Sequence, residues 1–187
     1  FVTVNQRAWE VSERARSPRF YFDWRQARKH AQAGSTPWTP AVSVLYAVQE
    51  GIRMLEEEGL DRVYARHRQL ADATEAGLAA LGFQLFAAEG YRSATVTSAL
   101  PMPGLDVSAF RKLLRTRYGV VIAGGQAKMS GKMIRVGHLG AVAGGDVVQV
   151  LWAIERALEE LDIAPADGRA LNAAAPHLTE ETVAAAV

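Results

Sequence analysis

Apolar residues recur along this chain in two rhythms. A spacing near 3.6 marks helices; a spacing of two, or a short unbroken run, marks strands. The first helix is predicted over Gln6–Arg16, capped by Asn5 and ended by Ser17-Pro18. A second is predicted over Trp24–Ala33, capped by Asp23 and closed by Gly34. From Pro40 a longer helix carries Val44, Val48, Ile52 and Leu55 on one face and breaks at Gly59. The next, Leu60–Leu81, places Val63, His67, Leu70, Thr74, Leu78 and Leu81 on one stripe. Its other face holds Asp61, Arg62, Arg66, Arg68, Asp72 and Glu75. After Gly82 the rhythm changes. Strands are predicted at Phe83–Phe86 and Thr95–Leu100, then a helix at Val107–Tyr118 behind Asp106. Further strands are predicted at Gly119–Ala123 and Lys132–Leu139, followed by a helix at Val147–Leu161. Phe1–Val4 also alternates like a strand. The order ββαββα behind two long helices predicts an α+β fold: a small antiparallel or mixed sheet with helices on one face. Pro165–Val187 is rich in small residues and is predicted to be a mobile tail, with a weak helix near Thr179–Ala186.

Composition narrows the function classes. Of 187 residues, 49% are hydrophobic, enough for a sizeable core. A net charge of +1 gives no general attraction to nucleic acid or to an anionic membrane face. No apolar run reaches the length of a membrane span, so neither nucleic acid nor membrane is expected as a partner. Cysteine is absent, which excludes disulfides and thiolate metal sites and accords with a cytoplasmic location. His30, His67, His138 and His177 lack metal-ligand spacing, and no metal is expected. His67, on the apolar stripe, is expected to pack. Walker and nucleophile-elbow motifs are also missing. Phe1–Val4 is no signal peptide, and it resembles a strand entered partway, as though the chain began upstream.

Two stretches carry candidate chemistry. In the strand Lys132–Leu139, Arg135 interrupts Met133, Ile134, Val136 and Leu139. A guanidinium is costly to bury without an anion, and its planar fork matches a carboxylate. Arg135 is either a carboxylate receptor for a small acid or an edge-strand arginine facing water. The second stretch is Ser35-Thr36-Pro37-Trp38-Thr39-Pro40. Hydroxyls this dense before a helix favour anion capture; the same residues also make an ordinary helix start, with Thr39 as cap and Pro40 at the first position. Lys29, Lys112, Lys128 and Lys132 are the available amines. None lies in an apolar strand, where desolvation would make it a nucleophile, so no catalytic residue is assigned.

The pattern GVVIAGGQ…KMIRVGHLG between Gly119 and Gly140, together with the Ser-Thr-Pro-Trp-Thr-Pro loop, resembles the C-terminal portion of class V, fold-type I pyridoxal-phosphate aminotransferases. The alanine–glyoxylate and serine–pyruvate (or serine–glyoxylate) enzymes are the nearest in kind. The likeness runs from Phe1 to about Leu161. It implies a remnant of an α/β large domain over residues 1–39, linking helices and a small domain over 40–163, and a tail over 164–187. It implies pyridoxal phosphate as cofactor, small amino-acid and keto-acid substrates, and a homodimer with shared active sites. By this resemblance Arg135 holds the substrate carboxylate. Thr39 hydrogen-bonds the cofactor of the neighbouring subunit, and Thr36 stands where relatives place another phosphate contact, often a tyrosine. In that family the Schiff-base lysine and the aspartate facing the pyridine nitrogen lie upstream, and neither has a counterpart here. The parent protein is therefore expected to move an amino group between alanine or serine and glyoxylate or pyruvate, with this chain inactive alone. Two alternatives stay open: a class V lyase sharing the arginine, and a non-catalytic α+β module that binds small acids or dimerises. A desulfurase would need a cysteine.

Overall fold

The structure, a computed structural model, describes residues 2–179. The weak helix predicted near Thr179–Ala186 lies, but for Thr179, outside them. The chain forms two compact units, Phe1–Arg53 and Met54–Val187.

In the first unit, α1 (Gln6–Arg14) starts where the Asn5 side chain accepts a hydrogen bond from Ala8 N–H at 2.9 Å. Helix α2 (Trp24–Gln32) starts where Asp23 accepts from Arg25 N–H, also at 2.9 Å. Both caps are the ones the sequence predicts. Trp9 meets Trp24 edge-on at 6.1 Å, and the Arg28 guanidinium lies 4.8 Å over Trp9. Neither helix has a fully buried residue. Val2–Val4 is not a strand, because no strand in this unit offers it a ladder.

Helix α3 (Val42–Glu58) begins two residues after Pro40, and Val42 N–H bonds the Pro40 carbonyl at 2.9 Å. Thr39 is therefore not its cap. The stripe of Val44, Val48, Ile52 and Leu55 forms as predicted but faces outward, 36–58% exposed.

The second unit is the α+β arrangement expected. Its elements are α4 (Leu60–Ala80), β1 (Gln84–Leu85), β2 (Val96–Leu100), α5 (Val107–Tyr118), β3 (Ala123–Gly124), β4 (Ile134–Gly137), α6 (Gly144–Glu160) and α7 (Arg169–Ala174). The sheet runs β1-β2-β4-β3 and is antiparallel throughout. Alternate residues of each strand bury against the helices: Thr97 and Ala99 on β2, Ile134 and Val136 on β4. They join Leu70, Leu78, Phe110, Leu114, Leu151, Ile154 and Leu158, all wholly buried. Helices α4 and α6 cross at Gly77, where a Cβ would stand 2.5 Å from Leu151 Cδ1. Any side chain there would force the buried Leu151 to shift.

Three expectations are corrected. The strand predicted at Gly119–Ala123 is only Ala123–Gly124 (β3); the residues before it run without strand pairing, Val120 and Ile122 pointing inward and Val121 outward, 70% exposed. The segment expected to be a tail contains α7, whose Ala170 and Ala174 are fully buried among α4 and α6. Alanine gives little hydrophobic signal, but its size lets a short helix sit close. The buried Glu155 on α6 accepts the Ala170 N–H at 3.2 Å.

Arg66 is the third. Placed with the charged face by its spacing, it is only 7% exposed. Its Nε and Nη2 grip both oxygens of Glu58 at 2.6 and 2.8 Å, and its Nη1 donates to the carbonyls of Gly140 and Val142 at 3.0 and 2.8 Å. The Arg66 guanidinium holds the Glu58 carboxyl below the usual carboxylate range. His67 completes this clamp as a packing residue. Its Nδ1 donates to the Val63 carbonyl at 2.7 Å and its Nε2 accepts the Gly140 N–H at 3.0 Å. The loop leaving β4 is thus tied to α4 from both sides.

His138, just beyond β4, is 1% exposed, and its Nε2 meets Thr97 Oγ1 at 2.9 Å. Burial holds its imidazole below the ordinary histidine range. The unfolded chain binds this proton more readily than the folded one. The His138 contribution to stability is therefore complete above about pH 6.5 and lost as pH falls toward the lower folded value.

Two outcomes are expected. Arg66→Met strands the Glu58 carboxylate and two carbonyls and lowers unfolding free energy by about 3 kcal/mol, read from urea midpoints; Glu58→Gln, at a more exposed position, loses less. Between about pH 7.5 and pH 5.5, His138→Gln loses less stability than the parent chain by the same measurement.

Candidate functional site

Arg135 occupies the middle of β4, between two buried neighbours, so the pleat turns it to the sheet face opposite the helices. It stands across from Ser98 on β2 and Ala123 on β3. The side chain is partly buried, and its Nε donates to the Gly124 carbonyl at 2.8 Å. That bond fixes the guanidinium plane. Its terminal amino groups make no hydrogen bond or ion pair among the described residues. With Nε committed, the end-on fork of Nη1 and Nη2 is what remains for an anion, and a carboxylate fits it with two parallel hydrogen bonds.

The loop from Gly124 to Met133 shapes the surroundings of that fork. Gly125 N–H bonds the Met133 carbonyl at 3.2 Å, and a 3-10 turn at Ala127–Met129 folds back over Gly125. A Cβ on Gly125 would stand 1.9 Å from the Met129 carbonyl oxygen. Gly125 is thus required by packing against backbone, while Gly124 lies against the Arg111 side chain.

In the first unit, the Ser35–Pro40 loop is pinned by its own aromatic. Trp38 Nε1 donates to the Tyr21 carbonyl at 3.2 Å, and the two rings stack at 5.6 Å. The two threonines differ. Thr36 Oγ1 already donates to the Trp38 carbonyl at 2.7 Å. The Thr39 hydroxyl has no partner among the described residues and is exposed. Thr39 can offer its hydroxyl to a phosphate without breaking a bond, whereas Thr36 cannot.

Lys29, Lys112, Lys128 and Lys132 are all exposed, so none is desolvated in the way a Schiff-base amine requires. No group of three or more potential metal ligands occurs among the described residues. No described helix is long and apolar enough to cross a membrane. Residues missed by sequence reasoning are Arg66, the Thr97–His138 pair and Arg111. Arg111 Nε donates to the Ile122 carbonyl at 3.0 Å. A signal existed for Arg66, which shares helical spacing with the buried Val63, Leu70 and Ala73. None existed for Arg111.

Comparison with known proteins bears on these features. The chain is 37% identical over 161 residues to a protein of Synechococcus named soluble hydrogenase, small subunit, covering 86% of this chain and 42% of that one. It is 31% identical over 191 residues to the serine–glyoxylate aminotransferase of Methylorubrum extorquens, covering 99% of this chain and 48% of that one. Among solved structures, ureidoglycine–glyoxylate aminotransferase from Bacillus subtilis superimposes with a TM-score of 0.85 at 30% identity, over 94% of this chain and 46% of that one. The chain spans under half the length of the curated relatives it matches. The profile described as aminotransferase class-V matches residues 18–143, which include both the threonine loop and Arg135. The chain belongs to the class-V aminotransferase family.

Proposed function

We propose that this chain is the C-terminal part of a pyridoxal-phosphate-dependent transaminase that moves an amino group between a small amino acid, alanine or serine, and glyoxylate or pyruvate. The observation carrying this is the orientation of Arg135, whose free fork lies on the sheet face away from the core. Arg135 binds the substrate carboxylate and orients the acid through two parallel hydrogen bonds. The Gly124 carbonyl holds the guanidinium in place beforehand, so little side-chain freedom is lost on binding. Thr39 contributes its unpartnered hydroxyl to the cofactor phosphate of a neighbouring subunit in a homodimer, with Thr36 shaping the loop around it. When bound, the cofactor supplies the electron sink for amino-group transfer. The four exposed lysines offer no amine to hold it covalently, so the chain alone does not turn over. A cytoplasmic location accords with a chain free of cysteine.

The test is titration of the isotope-labelled chain with pyruvate, following the arginine Nε–H signals by NMR. Saturable movement of the Arg135 signal is expected in the millimolar range, abolished in Arg135→Gln. Movement that never saturates, or that persists in other residues of the variant, would overturn the assignment.

A further inference from the structure

The inward side of β4 and its exit borders a cavity of about 380 Å³. Val136 and His138 line it from the strand, Thr74 from α4, and Val147 and Leu151 from α6, all of them buried. Gly137, Ala141 and Asp146 also line it, and these are exposed, so they mark its mouth. Every one of these residues belongs to the second unit.

The buried end of the cavity holds a polar group the fold does not satisfy. His138 is 1% exposed, and its Nε2 is engaged by Thr97 Oγ1 at 2.9 Å. Its Nδ1 is buried and makes no hydrogen bond among the described residues. The Ala94 carbonyl and the carbonyl of His138 itself lie near the ring, outside hydrogen-bond geometry. A neutral imidazole carries a donor on one nitrogen and an acceptor on the other, so one capacity goes unused in either tautomer. A buried polar atom left in this way is costly, and it calls for a partner from outside the chain. Thr74 spends its hydrogen on the Leu70 carbonyl at 2.7 Å and can only accept from a guest. Asp146 sets a carboxylate at the mouth, held by the Ala143 N–H at 2.8 Å.

Water suits this space poorly. The volume would take roughly a dozen molecules at about 30 Å³ each. Val136, Val147 and Leu151 offer them no hydrogen bond. A guest with an apolar body and one polar end fits better, its body against the aliphatic walls and its polar end at His138. A carboxylate is disfavoured as that end. It would meet an imidazole that burial keeps uncharged, with the Asp146 carboxylate at the entrance. A hydroxyl can donate or accept, so it matches Nδ1 in either tautomer.

We infer that this cavity is a ligand site for a small uncharged molecule with an apolar body and a hydroxyl that hydrogen-bonds His138 Nδ1. The site stands whether or not Arg135 binds an acid. Arg135 lies on the other face of β4, where the chemistry is opposite in kind: a charge offered to an anion.

The test uses the 187-residue chain and three probes: phenol, its isostere toluene, and benzoate. The imidazole signals of His138 and the methyl signals of Val136, Val147 and Leu151 are followed by NMR. Phenol is expected to bind saturably and about tenfold more tightly than toluene, the gain of one hydrogen bond. Benzoate is expected to leave these signals in place, whatever it does at Arg135. Val150, a half-buried residue of the cavity wall, allows the space to be filled from its rim. Val150→Phe is expected to abolish phenol binding in a chain whose β4 signals show it folded. Equal affinity for phenol and toluene overturns the inference, and that comparison needs no variant. Movement by phenol that never saturates overturns it too, as does saturable binding that survives in folded Val150→Phe. Benzoate binding at these signals as tightly as phenol likewise overturns it.

Discussion

Burying Ile134 and Val136 against the helices obliges Arg135 to face the other way. A strand has only two faces, and its side chains alternate between them. The register of β4 on β2 therefore does more than close the sheet. It decides on which side of the molecule a guanidinium is presented. A one-residue slip would bury the charge and expose both aliphatics. The antiparallel partners on either side, Ser98 on β2 and Ala123 on β3, are small enough to leave that guanidinium uncovered.

Contacts at the end of β4 hold this register. Thr97 meets His138 across the strands, on the inner face. Arg66 and His67 then take the carbonyl and N–H of Gly140 from α4, and Arg66 reaches on to Val142. The Glu58 carboxylate fixes the Arg66 fork from the end of α3. Buried charge in this molecule is thus spent on tying down a loop, with every donor of the clamp matched to a fixed acceptor. Arg135, on the opposite face of the strand, and Arg111, on the helix side of the edge strand, are tied by one nitrogen each. Arg66 thus has each of its three nitrogens bonded, while Arg111 and Arg135 are each held by Nε alone.

The elements were largely legible because their signals are local. Asn5, Asp23 and Asp106 cap the helices they were expected to cap. Glycine breaks fall where φ turns positive, as at Gly59 and Gly119. The inner stripe of α4 from Val63 to Leu81 buries as its spacing says, with His67 satisfied within it. What misled was chemistry that only a neighbour can reveal. Arg66 reads as surface until Glu58 and two carbonyls are brought to it. The alanines of α7 read as tail until α4 and α6 offer a surface close enough to need small side chains.

The candidate site divides along the same line. Composition and spacing singled out Arg135 in its apolar strand and the hydroxyl-rich loop before a helix; the family resemblance pointed to Thr39 and Thr36 within that loop. Sequence could not say which hydroxyl was already spent, which face Arg135 took, or that Arg111 stood at the same glycine. Positions 111 and 135 are far apart in the chain, and no periodicity links them. Periodicity and capping are properties of neighbouring residues, so the chain alone determined its longer helices, the approximate places of its sheet strands and its α+β class. The pairing of donors with acceptors across the fold depends on distances that exist only once the sheet is assembled, so the tertiary structure alone decided which charges are held and which are left to bind.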